Sequence, residues 1–223
     1  MNGVAVDCGP CPYLPNRHFR AFHPIPADQG ISYRQLMDHR FRRSGGQFYL
    51  PICAGCEECR PIRVDAFAFV PRTDQRRCAR RNGDLVVSFA ARGCDAERAG
   101  LFNRYQRGVH DRESSADPAF LEDDAGVAGG ELHARDGDGR LLAVSVVDVF
   151  DDALSSVYCY YDPDQRQRAL GTFMGLAELA WCQANGRRWW YLGFLVSGCR
   201  SMEYKARFRP HEVLVAGQWQ RSG

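Results

Sequence analysis

Five of the ten cysteines stand in two knuckles, Cys8-x-x-Cys11 and, about forty residues on, Cys53-x-x-Cys56-x-x-Cys59. Cys-x-x-Cys lets two thiolates of one tight turn reach one ion, and two such turns supply four soft ligands. We assign Cys8, Cys11, Cys56 and Cys59 to that set, with Cys53 as the spare. The metal is either a structural zinc or an iron–sulfur cluster, because Cys-x-x-Cys-x-x-Cys also ligates clusters. Free thiols in a packed turn are the alternative to any metal. The remaining cysteines are scattered, and Cys159 and Cys182 sit among apolar neighbours, where packing explains them.

The second chemical signal is charge. Pro12 to Arg81 carries 13 Arg against six acids, Asn82 to Asp164 carries seven Arg against 17 acids, and Gln165 to Gly223 carries nine basic residues against three acids. Two basic segments therefore flank an acidic one, and folded together they make a patch suited to phosphates. Chance variation along the chain is the competing explanation, since segment charge says nothing about faces. Lys205 is the only lysine. A chain this biased to arginine keeps a lysine where a compact ammonium is needed, or by chance.

The third signal is the passage VYCYYDPDQRQRALG over residues 157–171. It joins an aromatic strand to a proline turn, a basic loop and a helix start, where free N–H groups and the helix dipole attract anions. Arg166 and Arg168 reinforce that attraction. Acyl-CoA transferases with this layout read Gln/Arg-x-x-Gly-x-Gly/Ala at their pyrophosphate loop. Arg168-x-x-Gly171 fits, but Phe173 fills the last small position, so no CoA is expected; a polynucleotide phosphate or the tRNA 3′ end stays open, and a plain solvated turn capping the helix is the alternative. Further on, Tyr191-Leu-Gly-Phe194 precedes GCRSMEYK; a glycine within a strand lets a ligand approach the backbone, with Tyr204 and Lys205 beside it.

These groups need elements to hold them. Residues 1–30 read as loop. Tyr33 to Arg43 has helical spacing, Phe48 to Leu50 and Ile62 to Phe69 read as strands, and Asp74 to Arg81 is a very basic helix or turn. Leu85 to Ala90 reads as a strand and Asp95 to His110 as a helix. Asp111 to Ala128 is acidic and irregular. Gly130 to His133, Leu141 to Phe150 and Ser155 to Tyr161 read as strands, with an Asp-Gly turn inside Asp136 to Arg140. Leu170 to Asn185 is a helix stopped at Asn185-Gly186, Trp189 to Val196 a buried strand, and Arg200 to Phe208 a short helix. Strand, strand, strand, helix, strand, helix is a mixed α/β order. It is the order of a GNAT-like acyltransferase core, here preceded by an N-terminal cysteine-bearing segment. The expected division is 1–84 and 85–223.

Composition narrows the class. At 223 residues, 45% hydrophobic and 25% charged, the chain has ample core for a globular protein. No stretch nears the roughly 18 apolar residues of a membrane span, and the start lacks a secretory pattern. The cytoplasm is the expected location, where a disulfide framework is not expected.

CPYLPNR from Cys11, FRRSG from Phe41, YLPICAGCEECRPIR from Tyr49, QRRCARRNGDL from Gln75 and YLGFLVSGCRSMEYKARF from Tyr191 together resemble the bacterial aspartate/glutamate leucyltransferases and the related arginyl-tRNA–protein transferases. The resemblance runs over nearly the whole chain. It implies transfer of leucine or arginine from aminoacyl-tRNA to proteins with an N-terminal Asp or Glu, within the N-degron pathway of protein degradation. The Cys8–Cys11 pair looks like the arginyl branch, whose N-terminal cysteines bind an iron–sulfur cluster; the short chain and FRRSG look like the leucyl branch, which is favoured. On that reading Arg42, Arg43, Arg63 and Lys205 are candidates for the acceptor's acidic side chain, since carboxylates pair well with such groups. Arg76, Arg77, Arg80, Arg81, Arg166 and Arg168 are candidates for the tRNA backbone. Tyr160, Asp162 and Tyr204 are the catalytic candidates, and Tyr158 joins the tyrosines as a stacking surface for the terminal adenine. Asp162 is equally a turn-former before Pro163. An acyl-CoA N-acetyltransferase and a non-enzymatic RNA-binding metal protein are the rival classes.

Overall fold

The computed structural model describes residues 2–25, 32–111, 122, 123 and 125–222. Much of the acidic stretch expected at 111–128 lies outside them. Twelve strands form two sheets among the described residues. The first is small and antiparallel, in the order β1 (Gly3–Pro10), β2 (His18–Pro24), β4 (Gln47–Pro51), β3 (Arg42–Ser44). The expectation of loop over 1–30 is thus corrected. Backbone pairing of β1 with β2, from Gly3–Pro24 to Asp7–Arg20, makes a hairpin that the Pro, Gly and Cys content obscured. The helix expected to reach Arg43 also stops early: α1 covers Tyr33–Asp38, capped by Ser32 through a capping box with Gln35, and Arg42 already lies in β3.

The second sheet has eight strands. Its strands in chain order are β5 (Arg60–Asp65), β6 (Val86–Ala90), β7 (Gly129–Arg135), β8 (Leu141–Val149), β9 (Ala153–Tyr161), β10 (Trp189–Leu195), β11 (His211–Val215) and β12 (Gln218–Ser222). Across the sheet they run β12-β11-β5-β10-β9-β8-β7-β6. Strands β6 to β9 form an antiparallel meander, and α4 (Leu170–Ala184) carries the chain over to β10, which lies parallel to β9. Meander, crossover helix and parallel strand are the acyltransferase-type order anticipated above. The expected division at residue 84 cuts through this sheet: β5 lies between β10 and β11. The cause is legible only in space, since β5 is an alternating strand whose partners lie more than a hundred residues on. The closing hairpin β11–β12 was likewise not anticipated.

Helix α3 (Ala96–His110) covers one face of β8 and β9 through Leu101, Phe102 and Tyr105 against Val144, Val146 and Tyr160. Helix α4 covers the other face through Leu179 and Cys182 against Val147, Leu154 and Trp190. Helix α2 (Thr73–Arg81) lies against α4, and α5 (Arg200–Glu203) runs into a 3-10 turn over Tyr204–Arg207. No helix among the described residues is long and apolar enough to cross a membrane.

The two sheets are joined by buried charge. Arg43 on β3 donates to both oxygens of Asp148 on β8, at 2.8 and 2.6 Å, and Arg92 reaches the same carboxylate at 2.5 Å. The Arg43 and Asp148 side chains are at most 1% exposed. Asp148→Asn takes a shared carboxylate from two guanidinium groups, and breaking a buried pair typically costs about 3–5 kcal/mol. Urea denaturation of this variant is expected to show a loss of that order, with far-UV helix content retained before the transition.

Candidate active site

Strands β9 and β10 pair only at Trp189–Ala153, Trp190–Leu154 and Tyr191–Ser155. Beyond that they part. Gly193 sits at φ +82°, a conformation favouring glycine, where the β10–β5 register also shifts. The parting leaves carbonyls of β10 without sheet partners on that side, and two cations meet them. Lys205 Nζ donates to Phe194 O at 2.9 Å, and Arg42 donates to Gly193 O at 3.4 Å, Phe41 O at 2.5 Å and Met37 O at 3.1 Å. Arg42 is 4% exposed and Lys205 8%. Neither forms an ion pair among the described residues, and Arg42 Nε is buried with no hydrogen-bond partner. Burial, reinforced by Arg42, brings the Lys205 pKa down to about 7, and burial lowers that of Arg42 as well. Two desolvated cations thus lie side by side with no ion-paired carboxylate among the described residues.

The other two cations expected here are already used. Arg43 is sealed onto Asp148. Arg63 pairs with Glu212 at 2.7 Å, and its guanidinium carbon lies 3.8 Å from the ring centre of Trp189 and 4.1 Å from that of Trp219. That stacked and paired arrangement holds β5, β10 and the closing hairpin together; Arg43 and Arg63 are structural.

A second feature opens beside it. A cleft of about 330 Å³ lies between α2 and the start of α4, lined by Arg77, Arg81, Ala169, Thr172, Tyr204 and Arg207 among others. Ala169 adopts a left-handed conformation at the N-cap of α4, with no side chain capping the helix. The first turn of α4 thus offers its N–H groups and dipole to this cleft, with three guanidinium groups around it. Arg76 and Arg80 are exposed on the same helix as Arg77 and Arg81, and Arg166 is exposed on the loop leading to α4. Arg168 differs: it is held by Asp84 at 2.8 Å through both oxygens. Arg207 was missed by sequence reasoning, although it belongs to the basic C-terminal segment.

The tyrosines divide between the faces of β9. Tyr160 is 1% exposed, its ring edge-on to Phe102 under α3, so it is a core residue and not a catalytic one. The strand bulges between Ser156 and Tyr158, a feature that no local pattern announces. Tyr204 lines the cleft. Tyr105 packs on Tyr161 with ring centres 4.9 Å apart, and burial keeps its hydroxyl protonated, with Cys159, Tyr161, Tyr158 and Tyr204 as its titratable neighbours. Tyr105 thus belongs with Tyr160 to the core under α3, and the half-buried Tyr161 packs on it from β9. Asp162 is fully buried; it accepts from the Asp164 amide at 3.1 Å and pairs with Arg140 and Arg104. It is the turn-former, not a free base.

The cysteines also rearrange. Cys8 is exposed on β1 and lies outside the set. Cys11, Cys53, Cys56 and Cys59 line one cavity of about 10 Å³, so Cys53 takes the place assigned to Cys8. Hairpin β1–β2 turns Cys8 outward, which spacing alone does not reveal. Burial pushes the Cys59 thiol up to about 12, and the neighbouring thiols of Cys53, Cys11 and Cys56 add to the effect. Four soft donors suit a thiophilic ion in kind. They do not suit one in arrangement: among the described residues no three His, Cys, Asp or Glu side chains are placed to ligate one ion.

The pair at Gly193 makes a stability prediction. Lys205 has a folded pKa near 7 against an ordinary 10.5, so the unfolded chain binds the extra proton between those values. Its contribution to stability is present above 10.5 and is lost as pH falls toward 7. Lys205→Met removes that penalty. Chemical denaturation is expected to find the variant more stable than wild type by roughly 1–4 kcal/mol at pH 6–7, with the gap closing toward pH 10.

Comparisons with known proteins follow this geometry. Residues 9–77 match the family model for the N terminus of arginine-tRNA-protein transferase, and residues 97–215 match that for its C terminus. An aspartate/glutamate leucyltransferase of Saccharophagus degradans is 34% identical over 94% of this chain and 92% of its own. That of Maricaulis maris is 37% identical over 95% and 86%. In fold, the C-terminal domain (DUF2156) of a putative lysylphosphatidylglycerol synthetase from Agrobacterium fabrum aligns with a TM-score of 0.55 at 15% identity, over 74% of this chain and 59% of that one. With matching models at both ends and curated relatives along nearly its whole length, the chain belongs to the aminoacyl-tRNA–protein transferase family.

Proposed function

We propose that this enzyme transfers leucine from leucyl-tRNA to the α-amine of proteins that begin with Asp or Glu. The observation that carries the reading is the pair of buried cations at the parted end of β10, Arg42 and Lys205, with no carboxylate of their own. An acceptor's side-chain carboxylate supplies the missing charge, and an alanine N-terminus does not. The names of the curated relatives support leucine as the donor and Asp or Glu as the acceptor.

The donor's terminal nucleotides fit the arginine-lined cleft at the start of α4. Arg77, Arg81 and Arg207 meet phosphates there, Arg76, Arg80 and Arg166 extend the positive surface, and Tyr204 offers a stacking face. The ester then lies toward the open edge of β9, beside Tyr158 and Cys159. The chemistry is modest because the ester is already activated. The acceptor amine, with an ordinary pKa of roughly 7.7–8.0, is partly neutral near pH 7. It attacks the ester carbonyl carbon, a C–N bond forms, the ester C–O bond breaks, and the ribose oxygen leaves with a proton. Holding amine and ester together can supply up to roughly 7–11 kcal/mol.

The direct test incubates the protein with tRNA charged with radiolabelled leucine or arginine and with peptides beginning Asp, Glu or Ala. Label is expected on the Asp and Glu peptides from leucyl-tRNA. No label from either tRNA overturns the reading, and label from arginyl-tRNA alone moves the donor assignment to arginine.

The anion site carries its own pH signature. An N-acetyl-Asp peptide has the carboxylate but no reactive amine. Since Lys205 loses its proton near pH 7, and carboxylate binding favours the charged form, affinity is greatest below pH 7. Calorimetry is expected to show Kd rising toward tenfold per pH unit above it, until the raised pKa of the complex is passed. Lys205→Arg flattens that dependence between pH 6 and 9.

A further inference from the structure

Glu178 lies in the middle of α4 beneath the sheet, 2% exposed. No cation pairs with it among the described residues. Its carboxylate accepts from three donors: Ser145 Oγ on β8, Ser156 Oγ on β9, and Trp190 Nε1 on β10 at 2.6 Å. The apolar stripe of α4 gives no hint of it. A helix could be pinned to a sheet more cheaply by apolar contact, because a buried carboxylate without a cation carries a desolvation cost.

Its position gives it something to do. Ser155 is the last residue of β9 paired with β10, so Ser156 stands where the strands part. Ser156 is only half-buried, while Glu178 behind it is sealed. Its hydroxyl gives its one proton to Glu178 and accepts from Trp190 Nε1 at 2.9 Å. A hydroxyl oxygen has two lone pairs, and Trp190 occupies only one of them. Cys159 on β9, Cys182 on α4 itself and Tyr204 on the 3-10 turn are the titratable groups around the carboxyl, all neutral as thiols and phenol. Burial drives the carboxyl's pKa up, and the three donors pull it down.

We propose that Ser156 Oγ takes the proton of the attacking amine and passes its own to Glu178. The inference rests on the transferase reading above. As the amine nitrogen bonds to the ester carbonyl carbon, its N–H proton moves to Ser156 Oγ and the serine proton to the Glu178 carboxylate. When the C–O bond breaks, the same path returns a proton to the ribose oxygen, so the pair ends as it began. Ser156 is the catalytic residue and Glu178 the positioning residue that sets the direction of its proton.

The test is the single-turnover rate of transfer from leucyl-tRNA to an Asp peptide between pH 5 and 9, for wild type, Ser156→Ala, Ser156→Thr and Glu178→Gln. General-base assistance is worth roughly 10²–10⁴ in rate, so Ser156→Ala is expected to be at least about a hundredfold slower. Binding of the N-acetyl-Asp peptide should be unchanged, and Ser156→Thr should recover most of the rate. The wild-type log rate should steepen on acidification from a slope of one, for the amine, to two, as Glu178 protonates; Ser156→Ala and Glu178→Gln should keep a slope of one. Should Glu178→Gln fail to fold, the two serine variants decide. A Ser156→Ala rate within threefold of wild type overturns the relay, as does a slower variant that keeps the slope of two. A wild-type protein that transfers nothing from any charged tRNA overturns the transferase reading and the relay together.

Discussion

One constraint organises the molecule: β10 lies parallel to β9 for three residue pairs and then turns away at Gly193. Backbone polar groups must be satisfied wherever they are buried. Each carbonyl that the parting frees therefore needs a donor. The chain supplies these donors as cations, Lys205 at Phe194 O and Arg42 at Gly193 O. Neutral donors would have served the backbone equally well. The choice of charge places an electric potential at the opening, and the position of the site follows from the break in strand pairing.

The contrast among the arginines shows what is structural. Arg43 and Arg63 have close carboxylates, and Arg63 adds two indole faces. They bind β3 to β8 and β5 to the closing hairpin. Arg42 and Lys205 have carbonyls instead, which accept hydrogen bonds but do not cancel charge. Stability favours the first arrangement and ligand recognition the second. The fold keeps both within a few residues of each other in sequence at Arg42 and Arg43, on opposite faces of one short strand.

Legibility followed the range of the forces. Elements defined by local pattern were found near their observed limits: α3, α4, β8, β9 and β10 all carry strong periodicity, and Asn185-Gly186 marked a true stop. Lys205, standing out as the sole lysine, was expected beside the Tyr191–Phe194 strand and lies there. What failed depended on contacts between distant segments. Cys8 was chosen over Cys53 because spacing does not show which way a hairpin faces. Tyr160 was counted among the reactive tyrosines because no local pattern shows that α3 covers it. The boundary at residue 84 looked natural because β5 resembles any edge strand until its partners are known. Glu178 hid within an apolar helix, since a single polar residue there carries no periodic signal.

The place of β5 has a consequence for biosynthesis. Arg63 contacts Tyr191 across 128 residues of sequence, so the nascent chain makes a central strand long before either neighbour exists. At about 5–20 residues per second on the ribosome, β5 waits on the order of ten seconds for β10, and β11 follows later still. During that interval the thiols of Cys53, Cys56 and Cys59 travel on a chain that cannot yet be buried by its sheet. That interval is the window in which Cys59, buried in the finished fold, is open to oxidants or ions.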